Sequence, residues 1–520
     1  MTNLAASDLQ PALEKLYAVR PVWQRVVSAA EAIGLADRTL LHAGPPFRLG
    51  EQPSAPVLSS AVLCCLHEGW ADSEAAAQDL ITSGEVRLES AQDFNVVTPL
   101  AAVISPSATL VEVVDAAGIN PRPCWSILSS GRGPQIRFGT RQQTVLERLA
   151  WRDGELARAL QSALAASPID LLPLAIIGLQ RGDDLHSVTS GASQALQERL
   201  IPLLLQGTND VERMLDETPL FFLTLWMAAC HLLLDTLCDE PAAQSLLVAM
   251  AGNGIEVGIR LAGEPTRWRT AAAHTPQGPR LKAGEEPISP MLGDSGVIDA
   301  AGFGAQAWHH ATGVAADMDG WLPGRPAGAP HWQVGQHPLF APFGLGAAID
   351  IERIDPRASL PNVAIAMLDA RGKAGLLGRG VCQTPAHLYG APAADEPELN
   401  DPLVIAQISA AFERYEQALV SNDIATLDEL FWQSPHTVRY GATENLYGSA
   451  AIRAFRDGRP AAGLSRRITE RSITSFGSDS AVTHIAFSRE GNPRTGRQTQ
   501  TWIRIAGAWR IVSAHVSNMD

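Results

Sequence analysis

The sequence is short of positive charge and of paired cysteines, and each shortage argues against a class of function. Its 40 Lys and Arg residues face 55 Asp and Glu residues, which gives a net charge of −15. Nucleic-acid-binding domains carry a basic surface, so this balance argues against nucleic acid as a partner. The six cysteines form no CxxC or CxxH spacing, which argues against zinc-finger and dithiol motifs. We therefore predict no metal and no cofactor.

The chain also lacks the basic and then apolar N-terminal pattern that is typical of a signal peptide. Several cysteines lie in apolar runs, as buried free thiols do in a reducing compartment. Both features predict a cytoplasmic protein.

Long apolar runs are scarce, with one exception. Residues 219–238, PLFFLTLWMAACHLLLDTLC, are almost wholly apolar and long enough to span a bilayer. No basic flank marks a cytoplasmic side, and the rest of the chain has a globular composition. We therefore expect a fully buried helix in a large domain and no membrane partner.

With 520 residues the chain is too long for one hydrophobic core, so we expect a multidomain protein. Residues 1–390 form an N-terminal body that mixes short strands, glycine-rich turns and helices, as in α/β structure, with a helical subregion over about 141–252 that includes PAAQSLLVAMAG (241–252). Residues 383–400, rich in Ala, Pro and acidic residues, are predicted to be a linker. Residues 401–520 form a smaller C-terminal domain.

The C-terminal domain has a regular pattern of three helices and a sheet. An amphipathic helix is predicted in NDPLVIAQISAAFERYEQALVSND, a second helix in ATLDELFW and a third in SAAIRAFRDGR. HTVRY is a short strand, and four alternating runs follow after residue 464. Three helices against a curved antiparallel sheet make a cone, an α+β arrangement that resembles the nuclear transport factor 2-like (cystatin-like) fold.

The cone also holds a polar cluster in a chain with only five tyrosines. Tyr440 and Tyr447 lie beside Arg439 and Glu444 in HTVRYGATENLYG (436–448). With Gln500 and His515 they are candidate substrate-binding residues. The same cluster is equally compatible with an interface between two cones.

Strand alternation restricts the cone cluster. It places Gln498, Gln500 and Trp502 on one face of their strand, and Arg497, Thr499 and Thr501 on the other. These side chains therefore cannot all enter one pocket.

In the body, two glycine-rich motifs carry candidate catalytic residues. NGIEVGIR (253–260) offers Asn253 as a carbonyl donor and Arg260 as an anion clamp, unless it is only a tight turn leading into a strand. We predict that replacing Arg260 cuts turnover strongly. GDSG (293–296) offers Asp294 and Ser295 as a loop that contacts phosphate or substrate, unless it is an Asx-type turn. No His/Asp pattern supports a protease-like triad.

Three further motifs place polar residues at turns. GDDLH (182–186) contains the candidate catalytic His186, and its i, i+3 partner Asp183 suggests either a weak metal pair or a helix N-cap. His42 precedes the rigid GPP turn, and Glu68 lies at a helix C-terminus. We assign both as candidate substrate-binding residues.

Both parts resemble known families. LLHAGPPF, HEGWA, AAVISPS, RGDDLH, FFLTLWMAA, NGIEVGIR and GDSG occur in order and resemble the AllG/YlbE-like family over about 30–390. ERYEQAL, LDELFW, TVRYGATENLYG, IRAFRDGRPAAGL, GRQTQTW and WRIVSAHVS resemble the HpxZ/AtzH-like family over about 400–520. One departure from the first family is AQDFNVVTP (91–99), which lacks that family's His.

The resemblance implies a function that composition and spacing do not. It implies carbamoyl transfer from oxalurate, or a similar carboxylated urea, to phosphate in an oxamate carbamoyltransferase-like complex of nitrogen and allantoin catabolism. The alternatives are an amidohydrolase of carboxylated ureas and a non-catalytic scaffold or binding subunit. The implied partners are a small-molecule substrate, phosphate, and FdrA-like or amidase subunits, and we expect a homo-oligomer.

Overall fold

The computed structural model describes residues 9–48, 50–205, 208–321, 330–355, 359–390, 399–460, 463–505 and 507–519. The chain divides into two compact units, 1–392 and 393–520, hereafter the body and the cone. Most of the predicted linker, 391–398, lies outside the described residues. Residues 383–390 of that linker instead pack in the body, where Tyr389 is buried and its hydroxyl contacts that of Thr384.

The helices of the body lie mainly in its first three hundred residues. They are α1 (Gln10–Ala18), α2 (Ala29–Ile33), α3 (Ala55–His67), α4 (Glu74–Thr82), α5 (Gln143–Trp151), α6 (Ala157–Ala166), α7 (Leu172–Gln180), α8 (Ser190–Leu200), α9 (Asn209–Asp216), α10 (Phe222–Asp235), α11 (Gly296–Ala300) and α12 (Thr312–Asp317).

The strands of the body are short. They are β1 (Pro21–Ser28), β2 (Thr39–His42), β3 (Arg87–Ser90), β4 (Val96–Val97), β5 (Thr109–Asp115), β6 (Cys124–Ile127), β7 (Ile169–Asp170), β8 (Leu247–Asn253), β9 (Glu256–Leu261), β10 (Glu264–Ala272), β11 (Leu292–Gly293), β12 (Gln333–Val334), β13 (Ala348–Ile349), β14 (Asn362–Ala364), β15 (Met367–Leu368), β16 (Leu376–Gly378) and β17 (Val381–Gln383).

Two mainly antiparallel sheets organise the body. One has five strands in the order β4-β6-β5-β1-β7, and the other has four strands in the order β10-β9-β8-β11. Helix α10 packs against both sheets, and the apolar window that includes it, Phe222–Asp239, is 83% buried. The apolar run is therefore a core helix, as predicted. All six cysteines are free thiols, and five of them are buried.

The predicted helical subregion ends earlier than expected. PAAQSLLVAMAG was predicted to be helical, but Leu247–Asn253 is strand β8, which is buried on both faces. A short continuous apolar run fits a buried strand as well as a buried helix, because its hydrophobic pattern has no period of its own. Strand β8 forms a hairpin with β9 through Gly254 and Ile255.

The cone has the predicted three helices and a six-stranded sheet, and its fold is nuclear transport factor 2-like. Its elements are α13 (Pro402–Val420), α14 (Ile424–Leu430), α15 (Ser449–Gly458), β18 (Val438–Tyr440), β19 (Asn445–Tyr447), β20 (Arg467–Phe476), β21 (Ser480–Arg489), β22 (Asn492–Ile505) and β23 (Ala508–Met519). The strand order is β19-β18-β23-β22-β21-β20. Five of these six strands were predicted from the sequence, and β19 was not.

Candidate functional site

A cavity of about 210 Å³ in the body, the first cavity, brings together two of the predicted catalytic residues. It is lined by Arg137, His186, Ser187, Ser295 and Arg379, with apolar walls that include Leu223, Ile365 and Leu376. His186 and Ser295 are far apart in the chain and belong to different motifs. The fold therefore unites the RGDDLH and GDSG motifs at one cavity.

The glycines of GDSG place Ser295 at this cavity by allowing close backbone contacts. Gly293 has a φ of 128°, and a Cβ there would lie 2.6 Å from the Leu100 amide nitrogen. A Cβ on Gly296 would lie 2.2 Å from the Met250 carbonyl oxygen. Any side chain would push the turn away from these neighbours. The Ser295 hydroxyl makes no hydrogen bond within the described part of the chain.

Asp294 holds this turn in place rather than facing the first cavity. Its fully buried carboxylate accepts hydrogen bonds from the Gly44 amide at 2.9 Å and from Gln92 Nε2 and the Thr98 amide at 2.8 Å each. Burial raises the pKa of Asp294 to about 6, against the lowering effect of these donors. The observed contacts make Asp294 a support for Ser295.

His186 is oriented by a carboxylate that the sequence analysis did not identify. Its Nδ1 lies 2.7 Å from Asp299 Oδ2, and both side chains are buried. Asp299 Oδ1 also accepts hydrogen bonds from the Ala305 and Ala364 amides. Burial raises the pKa of Asp299, and the facing imidazole opposes that rise. With Nδ1 turned to Asp299, Nε2 is the ring nitrogen available for chemistry.

The fold brings a His–Asp pair to the cavity of GDSG, which the sequence pattern did not indicate. His186 and Asp299 form such a pair, and Ser295 lines the same cavity. No hydrogen bond joins Ser295 to His186 among the described residues, so a serine-protease-like relay is not assembled.

The other acidic residues of GDDLH have structural roles. Asp183 accepts hydrogen bonds from the amides of Gly191 and Ala192 in the first turn of α8, although the N-cap residue of that helix is Thr189. Asp184 accepts from the His186 and Val188 amides and from the Trp308 indole. Within the described ranges no group of three or more His, Cys, Asp or Glu residues is arranged to hold a metal ion.

Arg137 lines the first cavity and, like Asp299, was not identified from the sequence. It lies on a 3-10 turn, Ile136–Phe138, and its Nε is buried without a hydrogen-bond partner. Its guanidinium carbon lies 5.0 Å from the centroid of the Phe138 ring. Burial lowers the pKa of Arg137 to about 10, so the group stays charged at neutral pH.

Arg260 lies at a different cavity, of about 490 Å³, which we call the second cavity. Gln92, Arg122, His231, Asp235 and Arg260 are among its lining residues. Arg260 donates to Asp93 and lies 4.3 Å from the centre of the Trp268 ring. The structure thus separates Arg260 from His186 and Ser295, although all three were predicted to share catalytic work.

Three further predicted site residues of the body line neither cavity, because their polar atoms serve the fold. The Asn253 amide donates to the Pro45 carbonyl at 2.9 Å and its oxygen accepts from the Ile255 and Glu256 amides. His42 is fully buried against Phe47, and burial lowers its pKa to about 4. Glu68 accepts hydrogen bonds from both the amide and the hydroxyl of Ser107.

In the cone, the candidate residues divide between the two faces of the sheet. Tyr440 and Tyr447 are 37% and 63% exposed, and their hydroxyl oxygens lie 3.4 Å apart. His515 is exposed, and its ring centroid lies 6.1 Å from that of Tyr440. These three side chains therefore form an outer cluster that does not enter the interior of the cone.

Arg439 and Gln500 belong to the inner side. Arg439 Nη1 donates to Glu444 Oε1 at 2.5 Å and its guanidinium lies 5.1 Å from the Phe455 ring centroid. Glu444 is partly buried, which raises its pKa, but Arg439 and Thr443 lower it below its usual value. Gln500 is fully buried and accepts a hydrogen bond from Thr483. The burial pattern of β22 confirms the predicted alternation of Gln498, Gln500 and Trp502.

Comparison with known proteins identifies relatives of both units. The family profile described as oxamate carbamoyltransferase subunit AllG matches residues 86–295, and an AtzH-like profile matches residues 397–520. The oxamate carbamoyltransferase subunit AllG of Escherichia coli (strain K12) is 33% identical over 313 residues, which cover 58% of this chain and 74% of that protein. The uncharacterized protein YahG of the same organism is 27% identical over 403 residues, covering 74% and 84%.

A solved structure resembles the body in fold. It is a conserved protein of unknown function from Enterococcus faecalis V583, which superposes with a TM-score of 0.66 at 22% identity. The match covers 74% of this chain and 95% of that one. At this identity the likeness concerns the fold alone.

Proposed function

Because the chain belongs to the AllG family of oxamate carbamoyltransferase subunits and carries an AtzH-like C-terminal domain, we propose that it works in a carbamoyltransferase complex. The proposed reaction transfers the terminal carbamoyl group of oxalurate, or of a similar carboxylated urea, to phosphate. The observation that carries this proposal is the His186–Asp299 pair, which opens on the same small cavity as Ser295.

The transfer needs few protein groups. A phosphate oxygen attacks the carbamoyl carbon, the bond from that carbon to the substituted nitrogen breaks, and the leaving nitrogen takes up a proton that phosphate gives up. His186 Nε2 is suited to carry that proton, because Asp299 holds the ring by Nδ1. The Ser295 hydroxyl is suited to donate to the carbonyl oxygen as charge develops there. No covalent intermediate is required.

One observation favours a hydrolase as the second candidate. A serine and a His–Asp pair share the first cavity, which is a combination that nucleophilic amidases use. In that case water replaces phosphate as the final acceptor, and the products include ammonia.

The relative from Escherichia coli is named as a subunit, which supports partner subunits for this chain as well. We propose FdrA-like or amidase-type partners, a homo-oligomeric arrangement and a cytoplasmic location. In the cone, Arg439 and Gln500 suit ligand binding on the inner side. The exposed Tyr440, Tyr447 and His515 suit contact with another chain.

The test is an assay of the full chain, alone and co-expressed with its candidate partners, on oxalurate with and without phosphate. Carbamoyl phosphate that forms only with phosphate, and is lost in His186→Phe, is the expected result. Ammonia release without phosphate would favour the hydrolase. An absence of both products in every combination would leave a scaffold role.

A further inference from the structure

Arg137 is a charged group that the fold leaves without a carboxylate. Its Nε is buried and unpartnered, and no ion pair to it exists within the described residues. The neighbouring arginines differ, since Arg152 pairs with Asp153 and Arg379 pairs with Asp317 at 2.9 Å. Arg148 also has no ion pair among the described residues, but it donates to the Ser130 carbonyl at 2.6 Å, whereas the Arg137 side chain makes no such hydrogen bond.

On the side away from the first cavity, water supplies little of what this guanidinium lacks. On another side, Arg137 borders a void of about 20 Å³. A void of that size holds about one water molecule. A guanidinium carries five N–H donors in a planar fork, and burying it without acceptors is costly. The other acceptors come from the first cavity, which Arg137 also lines and where a bound ligand replaces water.

We propose that Arg137 is the clamp for a carboxylate in the first cavity, and that the ligand is a small planar monocarboxylate with an adjacent amide carbonyl. The fork of the guanidinium binds both carboxylate oxygens, and the amide end lies toward His186 and Ser295. This proposal rests on the proposed function in one respect: the amide end of the ligand is taken to be the end that reacts.

The single charge of Arg137 and the apolar walls of the cavity favour a monocarboxylate over phosphate at this position. One guanidinium neutralises one negative charge, whereas a phosphate dianion would keep an excess charge against the apolar walls of Leu223, Ile365 and Leu376. The other arginine of the cavity, Arg379, is already paired with Asp317 and is partly exposed.

Calorimetric titration of the full chain tests the clamp without requiring turnover. The probes are oxamate, its uncharged analogue oxamide, and inorganic phosphate. We expect Arg137→Met to weaken oxamate binding by at least ~30-fold, because it removes one partner of a buried charge pair. Arg137→Lys should recover part of the loss. Arg379→Met is the matched control, with a smaller expected loss, and circular dichroism verifies that each variant is folded.

Three results would overturn the clamp: no oxamate binding by the wild type, equal affinity in Arg137→Met, or loss of phosphate binding in place of oxamate binding. The same titration separates the two proposals. Oxamate binding that depends on Arg137, found together with an absence of carbamoyl transfer, supports the clamp and rejects the transfer reaction. Transfer that survives unchanged in Arg137→Met supports the reaction and rejects the clamp.

Discussion

The two cavities of the body are each lined by one histidine and two arginines, and the histidine and one arginine of each cavity show opposite pairing. At the first cavity His186 is paired with Asp299, and Arg137 has no carboxylate. At the second cavity Arg260 is paired with Asp93, and both ring nitrogens of His231 are buried without partners. The paired residue is thus the histidine at the first cavity and the arginine at the second.

The difference in pairing sets the charge that each cavity can offer. Burial lowers the pKa of His231 to about 4, so that ring is neutral at pH 7, and Arg122 is occupied by Asp235 and Asp239. Arg137 keeps its charge at pH 7 because its pKa falls only to about 10. The first cavity therefore has an uncompensated positive charge on Arg137. His231 and Arg122 give the second cavity no such charge. Anion binding is expected at the first.

The largest effect is expected from replacing the two histidines one at a time. His186→Phe removes a positioned proton carrier and should lower carbamoyl transfer by about 10²- to 10⁴-fold. His231→Phe is the matched control at the other cavity and should change the rate by only a small factor. Steady-state assays of both variants provide the measurement. A greater loss in His231→Phe would move the reaction to the second cavity.

The unpaired histidine also predicts a pH effect on stability. The pKa of His231 in the folded state, about 4, lies below its usual 6.5. Its contribution to stability is therefore present above pH 6.5 and is lost as the pH falls toward 4. The full loss is up to about 3 kcal/mol in the free energy of unfolding.

Urea unfolding of wild type and His231→Phe between pH 7.5 and 4 checks this effect. The variant lacks the titrating ring, so its stability should fall less over the same window. His42, which is also buried with a pKa of about 4, is present in both proteins and cancels in the difference. Parallel curves would mean that His231 has a partner in solution.

Arg260 tests the sequence-based assignment directly. Arg260→Met removes the pair with Asp93 and the contact with the Trp268 ring. We expect a loss of about 2 kcal/mol in the free energy of unfolding, since the ion pair and the cation–π contact are both lost while methionine keeps most of the apolar stem. Its effect on transfer should be much smaller than that of His186→Phe. A loss of turnover as large as in His186→Phe would instead restore Arg260 to the catalytic group, as the sequence analysis predicted.

Local periodicity explains which parts of the fold could be predicted. The elements of the cone were predicted almost one by one, because α13 is amphipathic and β20 to β23 alternate. Strand β8 was mistaken for a helix, because all of its seven residues are buried and leave no alternation. Strand alternation also placed Gln500 and Thr499 on opposite faces of β22. It could not show that Tyr440 and Tyr447 are exposed to solvent.

The site was harder to predict, because its decisive contacts are not local. His186 and Asp299 are 113 residues apart, and nothing in either segment indicates that they pair. The one available signal for Asp299 was a carboxylate inside the apolar run VIDAAG. Arg137, between Ile136 and Phe138, had a similar signal. A lone arginine there is ordinary until tertiary structure shows that no carboxylate approaches it.

The smallest expected effect concerns the stability of the protein without ligand. Arg137→Met removes a partly buried charge that has no carboxylate partner, so the free energy of unfolding should rise by about 1 kcal/mol. Arg260→Met, which removes a paired charge, should shift it in the opposite direction. Urea unfolding with and without oxamate checks both signs, since oxamate should stabilise the wild type and not Arg137→Met. A fall in stability in Arg137→Met without ligand would mean that the guanidinium already has its acceptors, and the two cavities would then no longer differ in pairing.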